Sequence, residues 1–145
     1  MVEKDAVIER QHYKGLAWVA SMALFMQSLD ATILNTALPT IATDLQTPVF
    51  EMQMAIIAYS LAVALFIPLT AWAAAKFGTL TVFRSAVFTF VFGSVACAMA
   101  TSLETLVLAR ILQGIGGAFM MPVARLAIIQ TVPKNQLINA WNLMA

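Results

Sequence analysis

Charge is what this sequence has least of. Only 10% of its 145 residues are Asp, Glu, Lys or Arg, while 61% are hydrophobic. A soluble domain carries about 25% charged residues, because its surface must face water. A chain so poor in charge cannot cover a globule, which leaves lipid as its solvent. The net charge is +1 and there is no basic stripe, so nucleic acid is not a partner. The single cysteine, Cys97, excludes an intramolecular disulfide. Its small apolar neighbours mark it as a packing residue, since a reactive thiol needs an electropositive, accessible setting. The single histidine, His12, lies in the polar N-terminal segment. Metal-ligand spacing, a Ser/His/Asp arrangement, a P-loop and a dinucleotide fingerprint are all missing. No cofactor or metal is therefore implied, and an enzyme is not expected.

What is present is a series of long apolar runs. Residues 1–14 are polar and mixed in sign, unlike a signal-peptide n-region, and read as a short cytoplasmic lead. Four segments then reach the roughly 20 residues needed to cross a bilayer, at about 15–39, 52–75, 85–103 and 105–130. A fifth apolar stretch starts at 137 and covers less than half a bilayer. Pro39 and the residues after it are expected to end the first span. Pro68 predicts a kink in the second, and Trp72 suits an interfacial anchor. A tight turn over 76–84 bends at Gly78. The third span holds the small-residue pairs Gly93/Cys97, Ser94/Ala98 and Ala96/Ala100, a spacing that lets helices pack closely. The fold class is all-α integral membrane, with four transmembrane helices and the start of a fifth.

The Lys and Arg residues outside the spans or at their ends are Lys4, Arg10, Lys14, Lys76, Arg84, Arg125 and Lys134, all on the side of the N-terminus. Asp44, Glu51 and Glu104 occupy the other side. The positive-inside rule then puts the N-terminus in the cytoplasm.

Two charges fall inside spans. A carboxylate at the centre of a membrane helix costs roughly 2.5–3.5 kcal/mol on insertion scales, so Asp30 is a functional candidate by default. It shares a helix face with Gln27, Leu34 and Ala37, while Thr32, Asn35 and Thr36 spread polarity to other faces. Arg110 begins a second stripe with Gln113, Gly114, Gly117 and Met121. Counting from the loops, Asp30 lies roughly 13 Å and Arg110 roughly 9 Å below the outer face. An arginine side chain covers that difference. The two are expected to share one polar cluster, with Gln27, Asn35 and Gln113 as partners. The plainer reading is a buried pair that only fixes helix register. Gly114 and Gly117 mark a surface where another backbone can come close.

The run Leu29-Asp30-Ala31-Thr32-Ile33-Leu34-Asn35-Thr36-Ala37-Leu38-Pro39 closely resembles the first-helix motif of the fourteen-span drug:proton antiporters of the major facilitator superfamily. Arg110-Ile111-Leu112-Gln113-Gly114-Ile115-Gly116-Gly117-Ala118 resembles that superfamily's fourth-helix motif. The resemblance runs from about Ala17 to Ala145. It implies a multi-pass inner-membrane efflux protein, driven by proton entry, that handles small amphipathic compounds. It also implies that Asp30 and Arg110 take part in proton coupling and hold the N-terminal bundle together.

Two departures qualify this. The loop between spans two and three keeps only Lys76 and Gly78 of the family pattern. Ala75 stands where an aspartate is usual, and Leu80 and Thr81 where a basic pair is usual, so the conformational latch of that loop is expected to be weak. The chain is also short for a fold built of three-helix repeats with the substrate between two halves. The sequence therefore reads as the N-terminal portion of an efflux transporter, a truncated or fragmentary form without independent transport. Two alternatives stand beside this. One is a four-span exporter acting as a homodimer, against which the one-sided Lys/Arg distribution argues if its topology is dual. The other is a non-transporting protein that associates with other membrane helices through its small-residue faces.

Overall fold

The computed structural model describes residues 2–132, 134 and 137–144, and side chains from Lys14 onward apart from a few near the C-terminal end. His12, Lys4 and Arg10 lie outside the described side chains, and Pro133, Asn135 and Gln136 of the last loop lie outside the described residues. Six α-helices follow in order: α1 Val2–Asp44, α2 Val49–Phe66, α3 Thr70–Phe77, α4 Thr79–Ala98, α5 Leu103–Thr131 and α6 Leu137–Met144. No strand occurs among the described residues. Four stretches are long and apolar enough to cross a membrane: Lys14–Asp44, Val49–Phe77, Thr79–Ala98 and Leu103–Thr131.

The ends of these elements differ from the sequence expectation for local reasons. Proline does not stop α1, which runs through Pro39 to Asp44. Pro39 lies on the exposed side of the helix, so its ring displaces no packed neighbour. Thr43 Oγ1 also donates back to the Pro39 carbonyl at 3.0 Å. The segment 2–14 continues into α1 without a break. The second span is interrupted at Pro68, where a 3₁₀ turn, Ile67–Leu69, separates α2 from α3. The expected turn over 76–84 contracts to Gly78 alone, which ends α3 and precedes α4. Its φ of +86° is open to glycine and strained for other residues. The start of α5 is set by a capping box, in which Ser102 and Thr105 each bond the other's backbone N–H.

Packing centres on α5, which has the largest share of buried residues and lies against α4, α2 and α1. Small residues make this possible. A Cβ added to Gly116 would lie 2.6 Å from the Phe90 backbone nitrogen, and one on Gly93 would lie 2.8 Å from the Gln113 backbone. The α4–α5 interface is therefore backbone against backbone at two levels. On α1 the buried stripe Ala17, Ala20, Ala23 gives the bundle a smooth face near one end. That end is filled by Phe83, Ala86, Phe90, Met120, Val123 and Ala124. The other end is filled by Leu38, Ala42, Met52, Ala55 and Leu106. Along each helix the polar residues considered next fall between these two apolar layers.

Candidate functional site

Asp30 on α1 and Arg110 and Gln113 on α5 meet in the middle of the bundle. Arg110 Nη1 donates to Asp30 Oδ2 at 2.7 Å, and Gln113 Nε2 donates to Asp30 Oδ1 at 2.7 Å. The two carboxylate oxygens thus have separate donors. Arg110 Nη1 also donates to Gln113 Oε1, which closes a three-residue ring. Cys97 on α4 donates its thiol to the same Oε1 at 3.6 Å. Asp30 and Arg110 form an ion pair.

The helix registers explain the meeting. Residues 110 and 113 are three apart on α5 and face the same way. Asp30 lies on the α1 face that also presents half-buried Gln27 and Ala37 and buried Leu34. The surroundings are apolar, so charge–charge attraction is strong and an unpaired charge is costly. The two partners are not equivalent, however. The Arg110 side chain is 3% exposed and that of Asp30 is 19% exposed. The carboxylate keeps a path to the open side of α1, whereas the guanidinium is sealed in.

Gln27 joins the cluster indirectly. Its Nε2 donates to the hydroxyl of Tyr59 on α2 at 3.2 Å, and the Tyr59 ring lies against Arg110, whose Cζ is 4.4 Å from the ring centroid. Asn35 does not join. It lies on an exposed face of α1 with Thr32 and Thr36, whose hydroxyls bond back to helix carbonyls. The reason is angular: Asn35 is five residues from Asp30, which turns it well off the Asp30 face. Gly114 and Gly117 are buried against Tyr59. Met121, the last residue of the expected stripe, is exposed. At the loop, Lys76 Nζ lies 4.9 Å from the Trp72 ring centroid, a cation–π contact within α3, and Gly78 makes the bend. Tyr59 and Cys97 are cluster members that the sequence did not single out. Depth would have found Tyr59, because it lies eight residues past Glu51, roughly 12 Å below the outer face, level with Asp30.

Among the described residues no group of His, Cys, Asp and Glu side chains has metal-binding geometry.

A family model described as Major Facilitator Superfamily matches residues 20–145. A Haemophilus influenzae protein named "Probable transport protein HsrA" is 83% identical over 137 residues, covering 94% of this chain and 30% of that protein. A Yersinia pestis protein named "Putative multidrug resistance protein MdtD" is 46% identical over 123 residues, covering 85% of this chain and 26% of that protein. The chain thus spans less than a third of the length of either relative. No solved structure matches it. With four apolar helices, and with the family model covering nearly all of them, the chain belongs to the Major Facilitator Superfamily.

Proposed function

We propose that this chain supplies the proton-exchanging helices of a multidrug efflux antiporter in the bacterial inner membrane, with its N-terminus in the cytoplasm. The observation that carries the reading is the buried Asp30–Arg110–Gln113 cluster, which leaves Asp30 alone open to one side. Ionised Asp30 accepts from both donors and neutralises Arg110. A proton arriving at an Asp30 oxygen removes that neutralisation and leaves the sealed guanidinium without its anion. The cost of that state favours rearrangement around α1, which is how proton binding can bias two conformations. An amphipathic compound reaching the same open face of α1 would compete with the proton.

Support for drug efflux comes from the relative named as a multidrug resistance protein. Support for the orientation comes from the seven-to-none distribution of Lys and Arg over the loops and span ends. Transport in this superfamily opposes two halves built from three-helix repeats. We therefore expect these 145 residues to bind the proton but not to export a compound by themselves.

Infrared spectroscopy of the chain in lipid, swept from neutral to acid pH, tests the central claim. The protonated-carboxyl band that grows on acidification should lose one component in Asp30→Asn, since the other Asp and Glu residues of the seven keep theirs. If Asp30→Asn leaves the spectrum unchanged, Asp30 is not the exchanging group. Dye resistance in an efflux-deficient host tests the second claim. Resistance conferred by the chain and abolished by Asp30→Asn would show that four spans suffice, as in a homodimeric exporter.

A further inference from the structure

Gly114 and Gly117 have a common neighbour, which the helix-packing reading does not explain. A Cβ on Gly114 would lie 2.7 Å from the Tyr59 carbonyl oxygen. A Cβ on Gly117 would lie 2.8 Å from the Tyr59 hydroxyl and 3.2 Å from Gln27 Nε2. One glycine admits the backbone of Tyr59 and the other its hydroxyl. Between them the ring is brought over Arg110, with the guanidinium carbon 4.4 Å from the ring centroid.

Arg110 has need of such a contact. Both of its hydrogen bonds leave the same nitrogen, Nη1. Its Nε is buried and has no hydrogen-bond partner among the described residues. Hydrogen bonds therefore fix one corner of a planar cation, and the rest is free to swing unless something covers its face. An aromatic face attracts a guanidinium through its quadrupole, and more strongly where water is excluded. The ring is itself tethered by the bond from Gln27 to its hydroxyl.

We propose that Tyr59 is a positioning residue, which holds Arg110 in the plane that reaches Asp30 and keeps it there while Asp30 carries a proton. The proposal rests on the reading of Asp30 as the proton-exchanging group. Protonation of Asp30 removes the anion beside Arg110, but the ring face does not titrate with it. The cation then keeps the ring beside its bond to Gln113 Oε1 in both states, and the ion pair re-forms when the proton leaves. Gln27 and Gly117 act through Tyr59, by tethering its hydroxyl and by leaving room for it.

Nuclear magnetic resonance of the full chain in lipid nanodiscs, labelled at arginine side chains, tests this. The Arg110 signal is assigned by its loss in Arg110→Lys. Its Nε–H should be shifted upfield by the ring and should exchange slowly with water, at neutral pH and after acidification. Tyr59→Phe keeps the aromatic face and should keep the shift. Tyr59→Leu should lose it and exchange about tenfold faster, the ratio expected for a desolvated cation–π contact. An unshifted Arg110 signal in the wild type, or one unaltered in Tyr59→Leu, overturns the proposal. If Tyr59→Leu does not fold, Gly117→Ala replaces it. Its added methyl group pushes the hydroxyl aside and should change the same signal, and no change there overturns the proposal equally. Failure of the Asp30 reading would appear separately, as a carboxyl band of undiminished area in Asp30→Asn while the Arg110 signal still depends on Tyr59.

Discussion

Removing Asp30 should destabilise the bundle more than removing Arg110, although each substitution breaks the same ion pair. The asymmetry follows from burial. Asp30→Leu leaves Arg110, 3% exposed, with Gln113 Oε1 and the Tyr59 ring but no anion. An uncompensated buried charge of this kind costs about 3–5 kcal/mol. Arg110→Met leaves Asp30, which is 19% exposed and still accepts from Gln113 Nε2. Its cost is nearer that of one lost charged hydrogen bond, about 1.5–3 kcal/mol. The double substitution removes both charges but strands the fully buried Gln113 amide, which costs about 1–3 kcal/mol. Adding Gln113→Met replaces the whole cluster with apolar side chains and should bring stability back to within about 1 kcal/mol of the original. The assay is reversible unfolding in mixed micelles of graded denaturing detergent, followed by helical circular dichroism. Two results would refute the reasoning: Arg110→Met costing more than Asp30→Leu, or the triple variant being less stable than either single one. The second would mean that the cluster stabilises the fold by itself. The triple variant should also lack the Asp30 component of the titrating carboxyl band, which separates stability from proton exchange.

Other perturbations have equally local consequences. Gly116→Ala would place a methyl carbon 2.6 Å from the Phe90 backbone nitrogen and 2.8 Å from the Ala86 carbonyl oxygen. With no flexible side chain to give way, α4 and α5 must part, at about 1–3 kcal/mol in the same unfolding assay. Gly78→Ala forces a side chain into φ +86° and should cost about 1–3 kcal/mol, with little change at the Asp30 cluster. Ser102→Ala removes half of the capping box and should lower stability by about 1 kcal/mol. In a Cys97→Ala background, a membrane-impermeant maleimide added to intact cells should label Gln46→Cys but not Thr79→Cys. The reverse pattern would overturn the orientation.

Much of this protein is legible in its order of residues. Four stretches with almost no charge can only be membrane spans, because backbone polar groups in lipid must be satisfied within the segment, as a helix does. Depth along each span is then arithmetic. Counting from Pro39 and Glu104 put Asp30 and Arg110 within reach of one another, and the structure places them 2.7 Å apart. Helical spacing likewise put Gln113 beside Arg110.

Angle and neighbour were not legible in the same way. Asn35 is as polar as Gln27 and close to Asp30 in sequence, yet one faces out and the other reaches Tyr59. Periodicity shows which residues share a face, but only the packed neighbours decide which face points inward. Pro39 reads as a helix stop, and the structure carries α1 past it with the proline ring on an exposed side. Gly114 and Gly117 read as generic small residues, and only the tertiary contact shows that they admit Tyr59. The sequence by itself determined the apolar character and number of the spans and which two of them carry Asp30 and Arg110, since hydropathy is local. The tertiary structure decided which side chains surround them, because that depends on how far each helix is rotated against the others.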